Sequence, residues 1–188
     1  MCDLASKLVI VSGPSGTGKD TVVGEVLKMD DRFSISVSAT SREVRGDEKD
    51  GVNYYFLTED DFLKRAENGE FIEYARYGSN YYGTLRSDVL KRIENGKTVI
   101  LVIEVQGAEN VKKIYPEALS VFIMPPSMEV LEKRLRARQT DSEEDILKRL
   151  EIAKSEIAKS PNYDYIVVND VLETAVGELY NIINENVK

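Results

Sequence analysis

The chain has 188 residues, of which 42% are hydrophobic and 31% are charged, a balance typical of one compact globular unit and unlike that of a disordered or fibrous chain. The 33 acidic and 25 basic side chains give a net charge of −8, which excludes a broad basic surface for a nucleic-acid backbone. Histidine is absent and Cys2 is the single cysteine. These counts exclude the commonest general base, an internal disulfide and a multi-cysteine metal site.

The apolar segments do not predict a membrane span. The run Leu8-Val9-Ile10-Val11 has no charged-then-apolar leader before it and is far shorter than the roughly 20 residues that a spanning helix needs. A chain with one cysteine also fits a reducing compartment. We therefore expect a cytoplasmic protein with no membrane or nucleic-acid partner. The sequence does not determine the number of subunits, and a homodimer is one of the possible assemblies.

The first predicted elements are a strand, a glycine-rich turn and a helix. The β-branched segment 7–11 predicts a strand, and a helical pattern follows over 19–29. The turn between them, Gly13-Pro14-Ser15-Gly16-Thr17-Gly18-Lys19, matches the motif G-x-x-x-x-G-K. We call residues 13–19 the phosphate loop, because the glycines, the helix N-terminus and the charge of Lys19 suit a nucleotide's phosphates. The flanking strand and helix disfavour an accidental glycine-rich turn.

The residue after Lys19 departs from this motif. Asp20, followed by Thr21, stands where the motif has a Ser or Thr that holds magnesium. A carboxylate in the first turn of a helix is favourable by itself, but beside phosphates it must either point away or help to ligate the metal. Both interpretations stay open. The residues expected to contact the nucleotide's phosphates are Gly13, Pro14, Ser15, Gly16, Thr17, Gly18, Lys19, Asp20 and Thr21.

The segment 34–83 does not continue the strand and helix pattern. It is rich in Tyr, Ser, Gly and charged residues, with short strand-like pieces at 54–56 and 71–77. We interpret it as an inserted subdomain and call it the insert.

Strands and helices alternate through the rest of the chain. Unbroken apolar runs predict buried strands at 98–103, 119–124 and 165–168, and helical patterns are found at 84–94, 107–115, 127–137, 142–159 and 171–186. This alternation predicts an α/β fold with a parallel β-sheet core and helices on both faces. The charged helical segment 127–160, which we call the lid, is expected to lie over one end of the sheet.

Arginines from three separated segments are candidates for binding one anionic ligand. Arg134 and Arg138 lie four residues apart on one helical face, Arg149 lies in the next helix, and Arg42 and Arg45 lie in the insert. The planar guanidinium suits phosphate because it donates two parallel hydrogen bonds. For any one of these arginines, a solvated pair with a nearby acid is an equally good interpretation. Phosphoryl transfer depends mainly on positioning and charge neutralisation, so it needs no histidine.

Five stretches of the sequence, in this order and spacing over essentially the whole chain, resemble guanylate kinases. The stretches are Ser12-Gly13-Pro14-Ser15-Gly16-Thr17-Gly18-Lys19, Ser38-Ala39-Thr40-Ser41-Arg42-Glu43-Val44-Arg45-Gly46, Asn80-Tyr81-Tyr82-Gly83-Thr84, Ile103-Glu104-Val105-Gln106-Gly107 and Val168-Asn169-Asp170. The resemblance implies a P-loop NTPase-type sheet and transfer of the γ-phosphate of ATP to GMP, and to dGMP, with Mg²⁺. It also implies three parts, namely a core of residues 1–33, 84–126 and 161–188, a GMP-binding insert of residues 34–83 and a mobile lid of residues 127–160.

The resemblance further implies roles for individual side chains. The phosphate of GMP would be held by Arg42, Arg45, Tyr54 and Tyr82, and the guanine would be surrounded by Ser38, Glu73, Thr84 and Glu104. A buried glutamate suits guanine, whose N1–H and amino group lie side by side, whereas adenine has no such donor pair. Without the resemblance, packed tyrosines and a surface glutamate would be the simpler interpretation. The transferring group would be stabilised by Lys19, Arg45, Arg138 and Arg149 with help from Arg134, and Asn169 would lie beside the ATP base.

Three residues depart from the family pattern. Asp20 stands where the family usually has Ser or Gly, Val102 stands where it usually has an acid, and Gln139 replaces a usual lid glycine. The first two departures suggest the hypothesis that a carboxylate near the metal has moved from position 102 to position 20.

Two rival functions keep part of this pattern. A mononucleotide kinase with another base preference, or a phosphate-loop ATPase, would keep Lys19 and the arginines and would bind another base or none. A guanylate-kinase-like protein-interaction module would keep the fold without catalysis. Such modules typically lack a working phosphate loop, so the retained Gly18-Lys19 pair favours the enzyme.

Overall fold

The computed structural model describes residues 4–137 and 142–187, and within them strands and helices alternate as the sequence predicts. Two short 3₁₀ turns lie at Ala5–Lys7 and Ser160–Asn162. The elements in chain order are β1 (Leu8–Ser12), α1 (Lys19–Met29), β2 (Phe33–Ile35), β3 (Ser38–Thr40), β4 (Tyr55–Phe56), α2 (Glu59–Glu67), β5 (Phe71–Tyr77), β6 (Asn80–Leu85), α3 (Arg86–Glu94), β7 (Thr98–Val102), α4 (Val105–Ile114), β8 (Leu119–Met124), α5 (Met128–Ala137), α6 (Glu143–Ile157), β9 (Tyr165–Val168) and α7 (Leu172–Asn186).

The main sheet is parallel and has the strand order β2-β7-β1-β8-β9. Successive side chains of a strand point to opposite faces, so β1 supplies both layers of the core. Val9 and Val11 pack with residues of α1 and α7, and Leu8 and Ile10 pack with residues of α3 and α4. The predicted α/β fold with helices on both faces of a parallel sheet is therefore confirmed.

A smaller mixed sheet, with the order β4-β3-β6-β5, is formed by the insert and the end of β6. β3 pairs parallel with β4 and antiparallel with β6, which in turn pairs antiparallel with β5. Its core contains Phe62 of α2 stacked on Phe71, with ring centroids 4.4 Å apart, and the buried side chains of Ala39 and Leu85. The mixed sheet thus has its own apolar core beside the parallel sheet.

Several elements differ from the sequence-based predictions. The helix predicted at 84–94 begins at Arg86, because Thr84 and Leu85 extend β6. The short strands β2, β3 and β6 and the helix α2 were not predicted. The alternation of apolar residues and serines from Phe33 to Ser38 was an available signal for the first two strands. Thr58 was the signal for α2, since its side chain caps the helix by accepting the Asp61 N–H.

The boundaries predicted for the insert fall inside strands. The boundary between residues 33 and 34 lies in β2, which pairs with β7 in the parallel sheet. The boundary between residues 83 and 84 lies in β6 of the mixed sheet. The chain therefore passes from one sheet to the other between Ile35 and Ser38, and again where β6 gives way to α3. The division into three parts stays a prediction.

The two lid helices pack against each other and against the phosphate loop. Leu131 and Leu135 of α5 form a buried cluster with Ile146 and Leu150 of α6. A methyl group added at Gly16 would lie 2.9 Å from the Leu135 side chain, which is closer than packed carbon atoms normally approach. Arg138 and Gln139, to which the sequence analysis gave roles, lie outside the described residues.

In the described part of the chain, the helices are all too short or too polar to cross a bilayer.

Candidate active site

The phosphate loop connects the end of β1 to the start of α1 through three glycines with positive φ. Gly13, Gly16 and Gly18 have φ values of 141°, 91° and 87°, which residues with a side chain rarely adopt. A methyl group at Gly13 would lie 2.3 Å from the carbonyl oxygen of Ile123 on β8. Glycine is therefore required here both for the turn and for the close approach of the loop to the neighbouring strand.

Lys19 begins α1 and folds back over the loop. Its side chain is buried, with the residue only 8% exposed, and Nζ donates to the carbonyl oxygens of Gly13 at 2.5 Å and Pro14 at 3.1 Å. The hydroxyl of Thr17 donates to the Pro14 carbonyl from inside the loop at 2.9 Å. These bonds hold a cationic head group at the loop, where the N-terminus of α1 adds its own positive dipole end.

Two residues from other parts of the chain hold the loop at Thr17. Asn169, which follows β9, is 6% exposed and its side-chain amide donates to the Thr17 carbonyl at 2.7 Å. Arg134 of α5 donates to the Asn169 carbonyl at 2.9 Å and to the Thr17 carbonyl at 3.4 Å. A methyl group at Gly18 would lie 2.6 Å from the Asn169 amide nitrogen. The predicted residue beside the ATP base is thus a buried neighbour of the phosphate loop.

The lid brings another of the predicted arginines to the loop. Arg149 of α6 donates to the side-chain oxygen of Ser15 at 3.2 Å. Together with Arg134, it places two guanidinium groups against the loop from two lid helices. Arg138, the third candidate from the lid, lies outside the described residues.

Asp20 and Thr21 are exposed in the first turn of α1. The pKa of Tyr54, in the insert, is raised first by burial, then by Tyr82 and also by the negative charge of Asp20. The Asp20 carboxylate therefore lies within electrostatic reach of Tyr54. Val102, at the end of β7, packs against the hydrophobic core with its apolar side chain.

The insert brings together Arg42, Tyr54 and Tyr82, three of the residues to which the resemblance assigns the phosphate of GMP. The Arg42 guanidinium carbon lies 5.3 Å from the Tyr54 ring centroid and 5.7 Å from that of Phe56. The Tyr54 and Tyr82 rings meet edge to face, with centroids 6.2 Å apart. Two phenol groups and a guanidinium group therefore form one cluster, which we call the Arg42 cluster.

Glu48 completes the Arg42 cluster, and the sequence analysis missed it. Its two carboxylate oxygens accept from the Arg42 guanidinium at 2.9 Å and 2.8 Å, and one of them accepts the Arg45 N–H at 2.8 Å. The hydrogen bonds from Arg42 and Arg45 lower the pKa of Glu48. The side chain of Arg45 is exposed and is not part of the cluster. An acid six residues after Arg42 in a tight turn was the available signal.

Strand register brings three of the four predicted guanine-binding residues together. Ser38 on β3 lies opposite Thr84 on β6, and Thr84 lies opposite Glu73 on β5. Glu73 is 8% exposed, and its Oε1 accepts the Thr84 hydroxyl at 2.8 Å. A methyl group at Gly107 of α4 would lie 2.7 Å from Oε2. The glutamate is thus buried between the mixed sheet and the first turns of α4.

Burial raises the pKa of Glu73 to about 7. The hydroxyl and backbone hydrogen bonds from Thr84 oppose this shift, and the negative charge of Glu104 adds to it. Glu104 is exposed and occupies the N-cap position of α4 without a capping hydrogen bond from its side chain. It is therefore near enough to act on Glu73, but it is not buried with it.

Glu156 of α6 is a second carboxyl group that the sequence analysis did not single out. Burial raises the pKa of Glu156 to about 7, the charge of Glu104 acts in the same direction, and Lys19 and Lys159 oppose the shift. A lid carboxyl group therefore lies within electrostatic reach of the phosphate-loop lysine. Nothing in its helical pattern distinguished it from the other charged residues of α6.

Comparisons with known proteins agree with this arrangement. The family model described as guanylate kinase matches residues 5–186. A guanylate kinase of Carboxydothermus hydrogenoformans is 49% identical over 172 residues, covering 92% of this chain and 84% of the relative. One of Thermotoga maritima is 47% identical over 180 residues, covering 96% of this chain and 87% of the relative.

Solved structures agree as well. A crystal structure of guanylate kinase from Anaplasma phagocytophilum is similar with a TM-score of 0.76 at 34% identity, covering 96% of this chain and 86% of that chain. A shikimate kinase from Bacteroides thetaiotaomicron is similar with a TM-score of 0.54 at 17% identity, covering 94% of this chain and 98% of that chain, and this likeness concerns the fold alone. The phosphate loop, the insert and the matches over nearly all of the chain lead to one conclusion: the chain belongs to the guanylate kinase family.

Proposed function

We propose that the chain transfers the γ-phosphate of ATP to GMP, giving ADP and GDP, and that it accepts dGMP as well. The observation that carries this proposal is the buried carboxyl group of Glu73, bonded to Thr84, in a chain that also has an intact phosphate loop. A phosphate-loop ATPase or a protein-interaction module has no need for a buried acceptor of this kind. A base with two adjacent N–H donors does need one.

We assign the ATP side of the site to the phosphate loop. Its backbone N–H groups and the N-terminus of α1 would hold the phosphates, and Lys19 would exchange its bonds to the loop carbonyls for bonds to phosphate oxygens. Arg134 and Arg149 already contact the loop from the lid, so they can neutralise the charge that develops during transfer. Arg138 receives the same role from the family resemblance alone.

We assign the GMP side to the Arg42 cluster and the mixed sheet. Glu48 and the rings of Tyr54 and Phe56 fix the plane of the Arg42 guanidinium. The phosphate of GMP would bind the remaining N–H groups of Arg42, the exposed Arg45, and the hydroxyl groups of Tyr54 and Tyr82. Two arginines already balance the charge of the phosphate, so the additional hydroxyl groups would serve to fix its orientation. A phosphate oxygen of GMP would then attack the γ-phosphorus in line with the breaking bond to ADP.

The guanine is assigned to Glu73, Thr84, Ser38 and Glu104. The Glu73 carboxylate would accept from N1–H and from the amino group together, because these two donors lie side by side. AMP would present an acceptor at the matching ring position and leave the buried carboxylate unpaired, at a cost of about 1–3 kcal/mol per unpaired group. Selection for guanine would follow from that cost.

Magnesium fits the site through Asp20. Mg²⁺ prefers oxygen ligands and is usually bound by one or two carboxylates together with substrate phosphates and water. The exposed Asp20 carboxylate, in the first turn after the phosphate loop, would supply such an oxygen, whereas the partly buried side chain of Val102 is apolar. Bound Mg²⁺ would neutralise charge on the β- and γ-phosphates.

We keep the three-part organisation as part of this proposal. The core of residues 1–33, 84–126 and 161–188 would carry ATP, the insert would carry GMP, and the lid would bring its arginines to the transferring group. We also propose that the enzyme works in the cytoplasm on small nucleotides, without nucleic acid or a membrane as partner. The single cysteine suits that reducing compartment.

The first prediction concerns guanine selection by Glu73. Glu73→Gln leaves one acceptor and adds a donor that opposes the guanine amino group, so kcat/KM for GMP should fall about 100-fold, equivalent to about 2.7 kcal/mol. A coupled assay with ATP and Mg²⁺ across GMP, dGMP, AMP, CMP and UMP measures this. The unaltered chain should use GMP and dGMP only.

Glu70→Gln is the matched control, because Glu70 is an exposed glutamate just before the same strand. It should leave all five rates within about twofold, as surface changes of this kind usually do. Equal rates of the unaltered chain with AMP and GMP, or equal effects of the two substitutions, would contradict the assignment.

The second prediction concerns pH. Binding of guanine needs the ionised form of Glu73. Because the pKa of Glu73 is raised to about 7, this carboxyl group is largely protonated below pH 7 in the free protein. GMP binding must then release a proton, so the KM for GMP should fall as pH rises from 6 to 8 and should rise up to about tenfold per unit below pH 7. The phosphate of GMP also titrates near pH 6, so the informative quantity is the KM ratio of Glu73→Gln to the unaltered chain. That ratio should grow with pH, and a flat ratio would count against this role of Glu73.

The third prediction concerns the metal. Asp20→Ser should raise the Mg²⁺ concentration needed for half-maximal rate about tenfold, because one carboxylate ligand is replaced by a hydroxyl group. Asp31→Ser, an exposed acid beyond the C-terminal end of α1, is the control and should not change it. A titration of rate against Mg²⁺ at saturating ATP measures the effect. An unchanged metal requirement in Asp20→Ser would remove Asp20 from the site.

A further inference from the structure

The chain crosses between the parallel sheet and the mixed sheet at two adjacent places. β2 ends at Ile35 in the parallel sheet and β3 begins at Ser38 in the mixed sheet, while β6 ends at Leu85 and α3 begins at the next residue. The buried side chain of Asp88, in the first turn of α3, lies between these crossings. The orientation of the insert therefore depends on what Asp88 contacts.

Asp88 reaches both crossings. The residue is 8% exposed, its Oδ2 accepts the backbone N–H of Val37 at 3.1 Å, and its Oδ1 accepts the hydroxyl of Tyr55 at 3.1 Å. Val37 lies in the link between the two sheets, and Tyr55 lies on β4 of the mixed sheet. One carboxylate thus holds the link and the insert against α3.

Arg92 extends the same network to the parallel sheet. One turn along α3, its Nε and one terminal nitrogen donate to the two Asp88 oxygens at 2.8 Å and 3.1 Å, and its other terminal nitrogen donates to the Ser34 hydroxyl on β2 at 2.8 Å. A carboxylate bonded by a planar guanidinium fork is held in direction as well as in distance. We call Ser34, Tyr55, Asp88 and Arg92 the joint.

We propose that the joint positions the GMP-binding insert relative to the phosphate loop, with Asp88 and Arg92 as positioning residues for phosphoryl transfer. Asp88 and its two partners Val37 and Tyr55 lie close in sequence to residues assigned to GMP. Val37 precedes Ser38, Tyr55 follows Tyr54, and Asp88 lies four residues after Thr84. A small rotation at the joint therefore displaces the acceptor without touching the ATP side, and transfer rates fall steeply with such displacements. The inference rests on the proposed assignment of GMP to the insert.

A second network of an aspartate, an arginine and a tyrosine lies entirely outside the insert and supplies the control. Asp30, at the end of α1, is bonded by the guanidinium of Arg32 at 2.6 Å to 3.0 Å, and the Tyr180 hydroxyl on α7 lies 3.5 Å from it. Arg32 also donates to Asn184 of α7. This network joins parts of the core to each other and does not reach the insert.

The kinetic test compares Tyr55→Phe with Tyr180→Phe. Each removes one phenol hydroxyl from an aspartate–arginine network and keeps the ring. Tyr55→Phe should lower kcat/KM for GMP about fivefold to tenfold, as expected for loss of a hydrogen bond to a charged acceptor, and should leave the KM for ATP within about twofold. Tyr180→Phe should change neither. Equal effects of the two substitutions, or equal shifts for ATP and GMP, would overturn the proposal.

The ion pair itself needs a variant that leaves no unpaired charge, because a single substitution strands a buried partner and destabilises the fold. Asp88→Ala with Arg92→Ala removes both charges. The double variant, with folding checked by thermal melting, should lose more kcat/KM for GMP than Tyr55→Phe and keep its KM for ATP. A folded double variant with an unaltered KM and kcat for GMP would overturn the proposal.

A distance measurement separates this proposal from the assignment of GMP. Cys2→Ser removes the single cysteine of the chain, and spin labels at Lys28→Cys on α1 and Lys49→Cys in the insert report the core-to-insert distance by pulsed electron paramagnetic resonance. Tyr55→Phe and the double variant should broaden the distance distribution without any nucleotide, and Tyr180→Phe should not. Unchanged distance distributions in these variants would overturn the proposal that the joint positions the insert. A failed Glu73→Gln test would overturn the guanine assignment and leave this readout intact.

Discussion

The close approach of other chain segments to the phosphate-loop backbone is the constraint on which the rest of the site depends. Gly13 touches a carbonyl of β8, Gly16 lies against α5, and Gly18 lies against the Asn169 amide. Each contact leaves no room for a side chain, so the loop is held by the sheet, the lid and the segment after β9 together. A backbone fixed in this way presents its N–H groups without reorganisation when phosphates bind. Lys19 then adds a full charge at the same place.

The insert is organised by a different constraint, the register of the mixed sheet. Because β3, β6 and β5 are neighbours, Ser38, Thr84 and Glu73 meet on adjacent strands although they are far apart in sequence. The lack of a side chain at Gly83 allows β6 to lie close to β5, since a methyl group there would lie 2.8 Å from the Glu73 carbonyl oxygen. The same sheet ends in the Arg42 cluster. The residues proposed to bind guanine and those proposed to bind the GMP phosphate thus lie at two ends of one small sheet.

The sequence predicted most of the core and only part of the insert, for physical reasons. The apolar runs of β1, β7 and β8 are buried on both faces, so their hydrophobic signal is strong. The strand β2 is only three residues long, so the alternation of apolar residues and serines around it is a weak signal, and its pairing with β7 cannot be read from local sequence. The contact of Glu48 with Arg42 depends on the fold of a turn, and that of Asp88 with Val37 spans 51 residues. Long-range contacts of this kind can be identified only once the fold is known.

A crystal structure of the chain with GMP bound tests the central claim most directly, because that claim assigns each end of GMP to named side chains. The account predicts that the Glu73 carboxylate lies about 3 Å from both N1 and the amino nitrogen of guanine, with the GMP phosphate at Arg42, Arg45, Tyr54 and Tyr82. A structure in which guanine lies elsewhere, with Glu73 bonded only to Thr84, would contradict it.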